Sequence, residues 1–522
     1  MAEPVVPPDF LTLYSRVFAE KPAAIDDRPG VSPEIWSFAE LNRQANRLGN
    51  ALLGLGVGPR DKVVWCGQNS LGVVRVAHAA RKIGATAVPL NYRLSPEEAA
   101  YVIDNSDAVV IYADAEYADL MRKIRGDVPK VRQVLIFDGP GAADQLDVAR
   151  LLSESSDAEP TVERGEGGTM IYTSGTTGKP KGALRAGGRT DPANQLALMQ
   201  LLGYRSDDVY LTTGPLYHSG PGGFMGVAHA LGNTVVLQRK FVPEDWLRLV
   251  ERYRVTTTFS APTPIRMVCN LPADVKARYD RSSMRIMIAN AAPWSYALKE
   301  AYLADFPEPS LFEVYGSTEL GVNCVLEPKD QRRKPGSCGK PAPGVELLLV
   351  DEEGRDVTEP DVPGELFVRS SAMFDTYYKA QEKYEGNRRG GFMTVGDIAY
   401  RDAEGFYYIC DRKSDMIISG GMNIYPAEIE SALEQHPKIY DVAVIGIPSE
   451  EWGESVHAVI VPHPGSTLDE ADVLAYAREH MAGYKIPRSV TFAAEIPRNA
   501  SGKILKRVLR EPFWSGQSRQ VG

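Results

Sequence analysis

Cysteine is scarce in this chain and never clustered: Cys66, Cys269, Cys324, Cys338 and Cys410 lie far apart, with no C-x-x-C spacing. That excludes a thiolate zinc site and a disulfide framework, and the five read as reduced, buried fillers. No apolar run approaches the roughly 18 residues that a membrane crossing needs. The N-terminus, MAEPVVPPDF, lacks a basic flank followed by an apolar core, so no secretory leader is expected and the chain should be cytoplasmic. Basic residues are in deficit, 58 Lys+Arg against 68 Asp+Glu for a formal charge of −10, which disfavours nucleic acid as a partner. Missing too is the G-x-x-x-x-G-K-[ST] phosphate loop, and with it ordinary kinase and ATPase mechanics. No internal repeat or low-complexity tract interrupts the chain.

What is present is the composition of a globular protein, 43% hydrophobic, 24% charged and 9% aromatic. A length of 522 residues predicts about two to four lobes. Ser37 and Glu40 form a capping-box pattern, followed at helical spacing by Leu41, Ala45, Leu48, Leu52 and Leu55. A short apolar strand from Val63, a helix over Val73 to Ile83 and a strand at ATAVPLN continue the alternation. Strand and helix in turn predict a parallel α/β sheet. Gly54-Leu-Gly-Val-Gly58 resembles half of a dinucleotide fingerprint, but it follows a helix and precedes a strand, the inverse of the required order.

Near residue 330 the texture becomes β, with GVELLLVDEEGRDV, GELFVRS and GFYYICDRK as strand and turn patterns. A second sheet or small barrel is predicted there. From Asp441 the order is strand, strand, helix, strand, enough for a compact α+β lobe whose border falls near Arg412 to Asp415. The fold class is therefore α/β: a large N-terminal lobe of parallel α/β sheets with a small β-barrel-like part, and a small α+β C-terminal lobe.

The densest chemistry is Met170-Ile-Tyr-Thr-Ser-Gly-Thr-Thr-Gly-Lys-Pro-Lys-Gly182, where five of the six residues from Tyr172 to Thr177 carry hydroxyls. Thr173, Ser174, Thr176 and Thr177 can donate hydrogen bonds. Gly175 and Gly178 let backbone N–H groups curl around phosphate oxygens, and Lys179 and Lys181 add charge. Read alone, the segment could also be a polar surface turn. Five further blocks stand at Tyr315-Gly-Ser-Thr-Glu319, Gly396-Asp397, Asp411-Arg-Lys-Ser-Asp415, Gly420-Gly-Met-Asn-Ile-Tyr-Pro-Ala-Glu428 and Pro497-Arg-Asn-Ala-Ser-Gly-Lys503. With TSGTTGKPKG they resemble, in order and along essentially the whole chain, the superfamily of acyl-CoA synthetases, firefly luciferases and non-ribosomal-peptide adenylation domains. Within it the fatty-acyl-CoA ligases are the most similar.

The resemblance implies an AMP-binding N-terminal domain over 1–411, a hinge over 412–415 and a mobile C-terminal domain over 416–522. It implies ATP and Mg²⁺ with coenzyme A as co-substrate, and catalysis by Lys503, Thr318 and Glu319. Tyr315 would offer its face to adenine, beside Gly316 and Ser317 of the same block. Thr318 would approach the α-phosphate and Glu319 would ligate Mg²⁺. Asp397 and Arg412 resemble a ribose clamp, although a lone Asp there is more often a turn residue and a lone Arg a surface ion-pair partner. Lys503 would enter the site from the C-terminal lobe to bridge the acid's carboxylate and the α-phosphate. That lobe would then swivel about Ser414, where many relatives carry Asp or Lys, and bring Gly420 and Gly421 to a pantetheine channel.

The block Leu216-Tyr-His-Ser-Gly-Pro-Gly-Gly-Phe224 resembles the family's acyl-pocket segment, with His218 beside the substrate. Gly220, Gly222 and Gly223 would remove bulk where the tunnel widens. No Lys or Arg stands within that segment to hold a second acid group, and no F-D-x-S marks an amino-acid substrate. An apolar monocarboxylic acid is expected, fatty or bulky and aromatic or steroidal. The adenine loop departs from the Gly-rich pattern as Ala289-Asn290-Ala291-Ala292-Pro293; Asn290 tolerates positive φ, whereas alanines restrict the backbone. The expected reaction is ATP-dependent formation of an acyl-AMP with release of pyrophosphate, then transfer to coenzyme A. An acyl-AMP ligase serving a carrier protein and a non-catalytic nucleotide-binding homologue remain as alternatives. The sequence is silent on oligomeric state, and a homodimer is compatible with it.

Overall fold

The computed structural model describes residues 9–162, 167–173, 179–187, 190–292, 294–498 and 504–514. The predicted first helix runs over Phe38–Gly54 and buries Leu41, Ala45, Leu48 and Leu52 on one face. Ser37 caps it, its hydroxyl accepting from the Glu40 N–H at 3.2 Å. The Glu40 carboxylate turns to Arg43 and Gln44 on its own helix. A complete capping box stands instead at Ser95 and Glu98, at the head of the helix Pro96–Asn105.

Among the described residues, two large sheets carry the N-terminal part. One orders its strands Thr376–Tyr377, Lys181–Ala186, Gly168–Thr173, Thr86–Leu90, Lys62–Cys66, Ala108–Asp114, Gln133–Phe137 and Leu146–Asp147. From Gly168–Thr173 onward its neighbours are parallel. The other has nine strands, parallel from Leu311–Ser317 through Ile286–Ala289, Thr257–Ser260, Val209–Thr212 and Thr234–Leu237 to Pro22–Asp26. Lys62–Cys66, Ala108–Asp114 and Thr234–Leu237 are buried almost throughout, which is why they read as nearly continuous apolar runs. In each sheet the chain order reverses, at Lys62–Cys66 in the first and at Val209–Thr212 in the second. Such reversals open crevices beyond the carboxyl ends of the strands.

The β-rich segment after residue 330 forms an antiparallel sheet of Glu346–Val350, Gly364–Arg369, Phe392–Arg401, Arg388–Arg389 and Tyr407–Arg412. The C-terminal sheet pairs Ile439–Ser449 with Gly453–Pro462 and adds Ser489–Phe492 in parallel, the predicted helix Glu470–His480 connecting these last two strands. Its own core, with Ile417, Ile429, Leu433, Val444, Ile460 and Val473, draws among the described residues on none before Ile417. All five cysteines are free, four of them buried. No helix of the described residues is long and apolar enough to cross a membrane.

Candidate active site

The strands Gly168–Thr173 and Leu311–Ser317, one from each large sheet, end beside each other, and Glu319 marks the meeting point. Its Oε1 accepts from the Thr173 hydroxyl at 3.0 Å and from the Tyr377 hydroxyl at 3.1 Å. Its backbone carbonyl accepts from the Phe374 N–H at 2.7 Å. Burial, reinforced by the Glu319 charge, pushes the Tyr377 phenol well up, so its hydroxyl stays a donor. Thr318 is held as firmly: its hydroxyl shares a hydrogen bond with Ser219 at 2.8 Å, and its carbonyl accepts from Arg185 at 3.0 Å. Thr173, Gly316, Ser317, Thr318 and Glu319 all line one cavity of about 1800 Å³. Ser174, Gly175, Thr176, Thr177, Gly178, Pro293 and Lys503 lie outside the described residues.

Lys179 is exposed, with its ammonium 4.9 Å from the ring centre of Tyr101, and it does not reach the cavity wall. Lys181 does. Tyr315 is half-buried, and its hydroxyl donates to Asp397 Oδ2. Arg412 pairs with the other oxygen of Asp397, Nε to Oδ1 at 3.3 Å, and does line the cavity, next to Gly396. The adjacent negative charge of Asp397 raises the Arg412 guanidinium further. In the adenine loop Ala291, not Asn290, takes the positive φ, at 71°. Asn290 fixes it from both sides, donating to the Val314 carbonyl and accepting from the Ala291 N–H. Asn290 and Ala291 reach the wall, whereas Ala292 does not.

The acid-pocket residues separate in the same way. His218 precedes the helix Ser219–Ala230 and lines the cavity, its ring 4.3 Å from that of Tyr217. Gly220 is on the wall, yet its missing side chain serves a close approach: a Cβ there would sit 2.2 Å from the Phe259 ring. At Gly222 a Cβ would meet the Leu216 carbonyl oxygen at 2.6 Å, and only at Gly223 is the space open. Neither Gly222 nor Gly223 lines the cavity. The bases that the local segment lacks arrive from elsewhere, since Arg239 and Lys240 line the cavity. Arg239 is engaged by Asp114 at 2.8 Å and Glu116 at 3.4 Å.

Ser414 is on the wall in a turn whose Asp415 and Met416 N–H groups return to the Arg412 carbonyl. Its own carbonyl accepts from Arg510 at 3.2 Å. Gly420 and Gly421, both at positive φ, make the two-residue turn between the strands Ile417–Ser419 and Met422–Ile424. A Cβ on Gly420 would press on Trp452 at 2.7 Å, and neither glycine is on the cavity wall. Arg185, Ser219 and Tyr377 escaped the sequence reading. Each acts on Thr318 or Glu319 from an element remote in sequence; Ser219 sits inside the block Leu216–Phe224, whereas Arg185 and Tyr377 have no motif of their own to mark them.

Residues 14–378 match the family model of the AMP-binding enzyme, and residues 428–503 match that of the AMP-binding enzyme C-terminal domain. The chain belongs to the AMP-binding enzyme family. This AMP-binding enzyme is 35% identical over 483 residues to an indoleacetate–CoA ligase of Aromatoleum aromaticum, covering 91% of this chain and 92% of that one. It is 31% identical to the fatty acid–[acyl-carrier-protein] ligase ScoC of Streptomyces coeruleorubidus, with 93% of each chain covered. Its structure is similar to that of the anthranilate CoA ligase AuaEII in complex with anthranoyl-AMP, with a TM-score of 0.87, 29% identity, and 97% and 96% of the two chains covered.

Proposed function

We propose that this AMP-forming acid–thiol ligase, which uses ATP, Mg²⁺ and coenzyme A, takes an aromatic monocarboxylic acid. The observation that carries the proposal is the wall of Phe259, Tyr217 and His218, which faces the same cavity as Thr318 and Asn290. Phe259 stacks on Phe224 at 5.4 Å and 27°, so a rigid π surface borders the place where the acid would lie. Flat rings gain area and quadrupole complementarity there that a flexible chain gains only by losing rotamer freedom. Arg239, on the same wall, is engaged by Asp114 and Glu116, which lowers its value as a partner for a second carboxylate. The relatives named for indoleacetate and anthranilate support the same class.

In this reading the acid's carboxylate oxygen attacks the α-phosphorus, pyrophosphate leaves, and the thiol sulfur of coenzyme A then attacks the acyl carbonyl with AMP as leaving group. Ser174, Thr176, Thr177 and the N–H groups of Gly175 and Gly178 hold the outer phosphates. Asp397 and Arg412 hold the ribose, Thr318 serves the α-phosphate, and Lys503 neutralises charge that grows between acid and phosphate. Mg²⁺ would sit on Glu319, whose carboxylate is fixed through Oε1 by Thr173 and Tyr377. The ion would screen the phosphate charge there. Ser414 is the hinge between the domains 1–411 and 416–522, and its rotation would carry Gly420 and Gly421 toward the thiol.

The test is a competitive panel of aryl, fatty and steroid acids read as thioester mass, run on the native chain and on Gly220→Ala. Aryl acids are expected to lead. Gly220→Ala drives the Phe259 ring toward the cavity and should lower kcat/KM most for the widest acids, with Phe259→Ala restoring them. Preference for long fatty acids by the native chain would overturn the proposal. The relative that serves an acyl-carrier protein supports a second reading, for which adenylate would form without thioester on free coenzyme A.

A further inference from the structure

We infer that Arg185 is a positioning residue for the Mg²⁺·ATP half of the site, bracing Thr318 and Glu319 from behind without touching the ligand. Arg185 lies on the strand Lys181–Ala186 next to Leu184 and, unlike Lys181 at the head of that strand, is absent from the cavity wall. Its guanidinium joins two segments that come from different parts of the chain: one amino group donates to the Ala372 carbonyl and the other to the Thr318 carbonyl at 3.0 Å. Burial depresses the guanidinium while Asp375 and Glu319 support its charge.

The same two segments are laced together around Glu319. Phe374 donates its N–H to the Glu319 carbonyl at 2.7 Å, and Tyr377 donates to the carboxylate at 3.1 Å. Asp375 accepts the Ala186 N–H at 2.6 Å, one residue beyond Arg185 on the strand. Arg185 thus bridges both segments, and its rigid fork suits two carbonyls at a fixed separation. A lysine could serve one of them. A methionine would fill the space and leave both carbonyls without that donor.

The inference rests on Glu319 as the Mg²⁺ carboxylate, and the experiment separates the two claims. Arg185→Met, Arg185→Lys and Glu319→Gln are titrated calorimetrically with a non-hydrolysable ATP analogue, with Mg²⁺ and with EDTA, and with AMP. KM, kcat and Tm are measured alongside. Arg185→Met should weaken the analogue in Mg²⁺ by about 10- to 100-fold, weaken AMP in EDTA by much less, and raise KM for ATP more than KM for the acid. Arg185→Lys should recover part of the loss. An Arg185→Met protein of lower Tm whose Mg²⁺-dependent gain in affinity equals that of the native chain overturns the inference, as does equal weakening of AMP. If Arg185→Met fails to fold, full native Mg²⁺ dependence in Arg185→Lys overturns it. Native Mg²⁺ dependence in Glu319→Gln overturns the assignment of Glu319 instead.

Discussion

Asp397→Asn tests the nucleotide site at its most economical point. The Asp397 carboxylate accepts from the Tyr315 hydroxyl through Oδ2 and pairs with Arg412 through Oδ1 at 3.3 Å. A carboxylate offers about four lone-pair sites, so about two remain for the ribose hydroxyls after these partners are served. The side chain is nearly buried, which preserves the strength of bonds to the charged group. A hydrogen bond to a charged partner contributes about 1.5–3 kcal/mol. The amide keeps one acceptor oxygen, enough for Tyr315, and loses the charge and the second acceptor. One charged bond lost therefore means about 10- to 150-fold weaker ATP, at about 1.4 kcal/mol per tenfold. The assay is calorimetric titration of ATP and 2′,3′-dideoxy-ATP into native and Asp397→Asn protein. ATP should weaken by that factor, dideoxy-ATP by much less, and the native preference for ATP should collapse in the variant. Equal losses for both nucleotides would refute direct ribose contact and leave Asp397 as a support for Arg412 and Tyr315.

Lys503→Ala should lower adenylation by about 10² or more, the scale of losing a key oxyanion donor, while thioester formation from supplied acyl-AMP survives; equal loss in both half-reactions contradicts the role. Burial raises the Asp411 carboxyl from 3.8 to about 6 against the opposing charge of Lys506. The folded chain then holds a proton that the unfolded chain has already released, so stability falls as pH rises from 3.8 to about 6 and stays lower above that window. The full difference is about 3 kcal/mol at 1.36 kcal/mol per unit. Urea denaturation of Asp411→Asn at pH 5 and pH 7.5 should show a flatter dependence than the native chain, and an unchanged dependence refutes the assignment.

The parts of this fold that were legible in the sequence are those governed by local periodicity. Leu41, Ala45, Leu48 and Leu52 fall on one buried helical face because 3.6 residues make a turn. The strand pair Ile439–Ser449 and Gly453–Pro462 was visible in its β-branched runs. The hydroxyls of Thr173 and Thr318 were found for a different reason: they sit in dense motifs, and each reaches the site from the end of a strand. What was hidden is whatever depends on the opposite wall. Arg185 and Tyr377 bond to Thr318 and Glu319 across 133 and 58 residues of chain, and no pattern in either segment names its partner. The Tyr315 hydroxyl is held by Asp397, 82 residues on, and neither block announces the other.

Glycine shows the difficulty in its plainest form, because a missing Cβ can mean a vacancy or a close approach. The run Gly220-Pro-Gly-Gly223 reads uniformly as vacancy in the sequence. In space Gly220 is pressed by Phe259, Gly222 by the Leu216 carbonyl, and Gly223 alone faces open room. For Gly220 the deciding atoms belong to Phe259, on the strand Thr257–Ser260, whereas the glycines lie on the helix Ser219–Ala230. Nucleotide chemistry, common to every acid the enzyme could take, is therefore written in contiguous motifs. In the proposed reading the choice of acid depends on pairs such as Gly220 with Phe259, each member of which looks ordinary alone. Substitutions within a motif should accordingly change rate for all acids alike, and substitutions in such pairs should change the order in which acids are preferred.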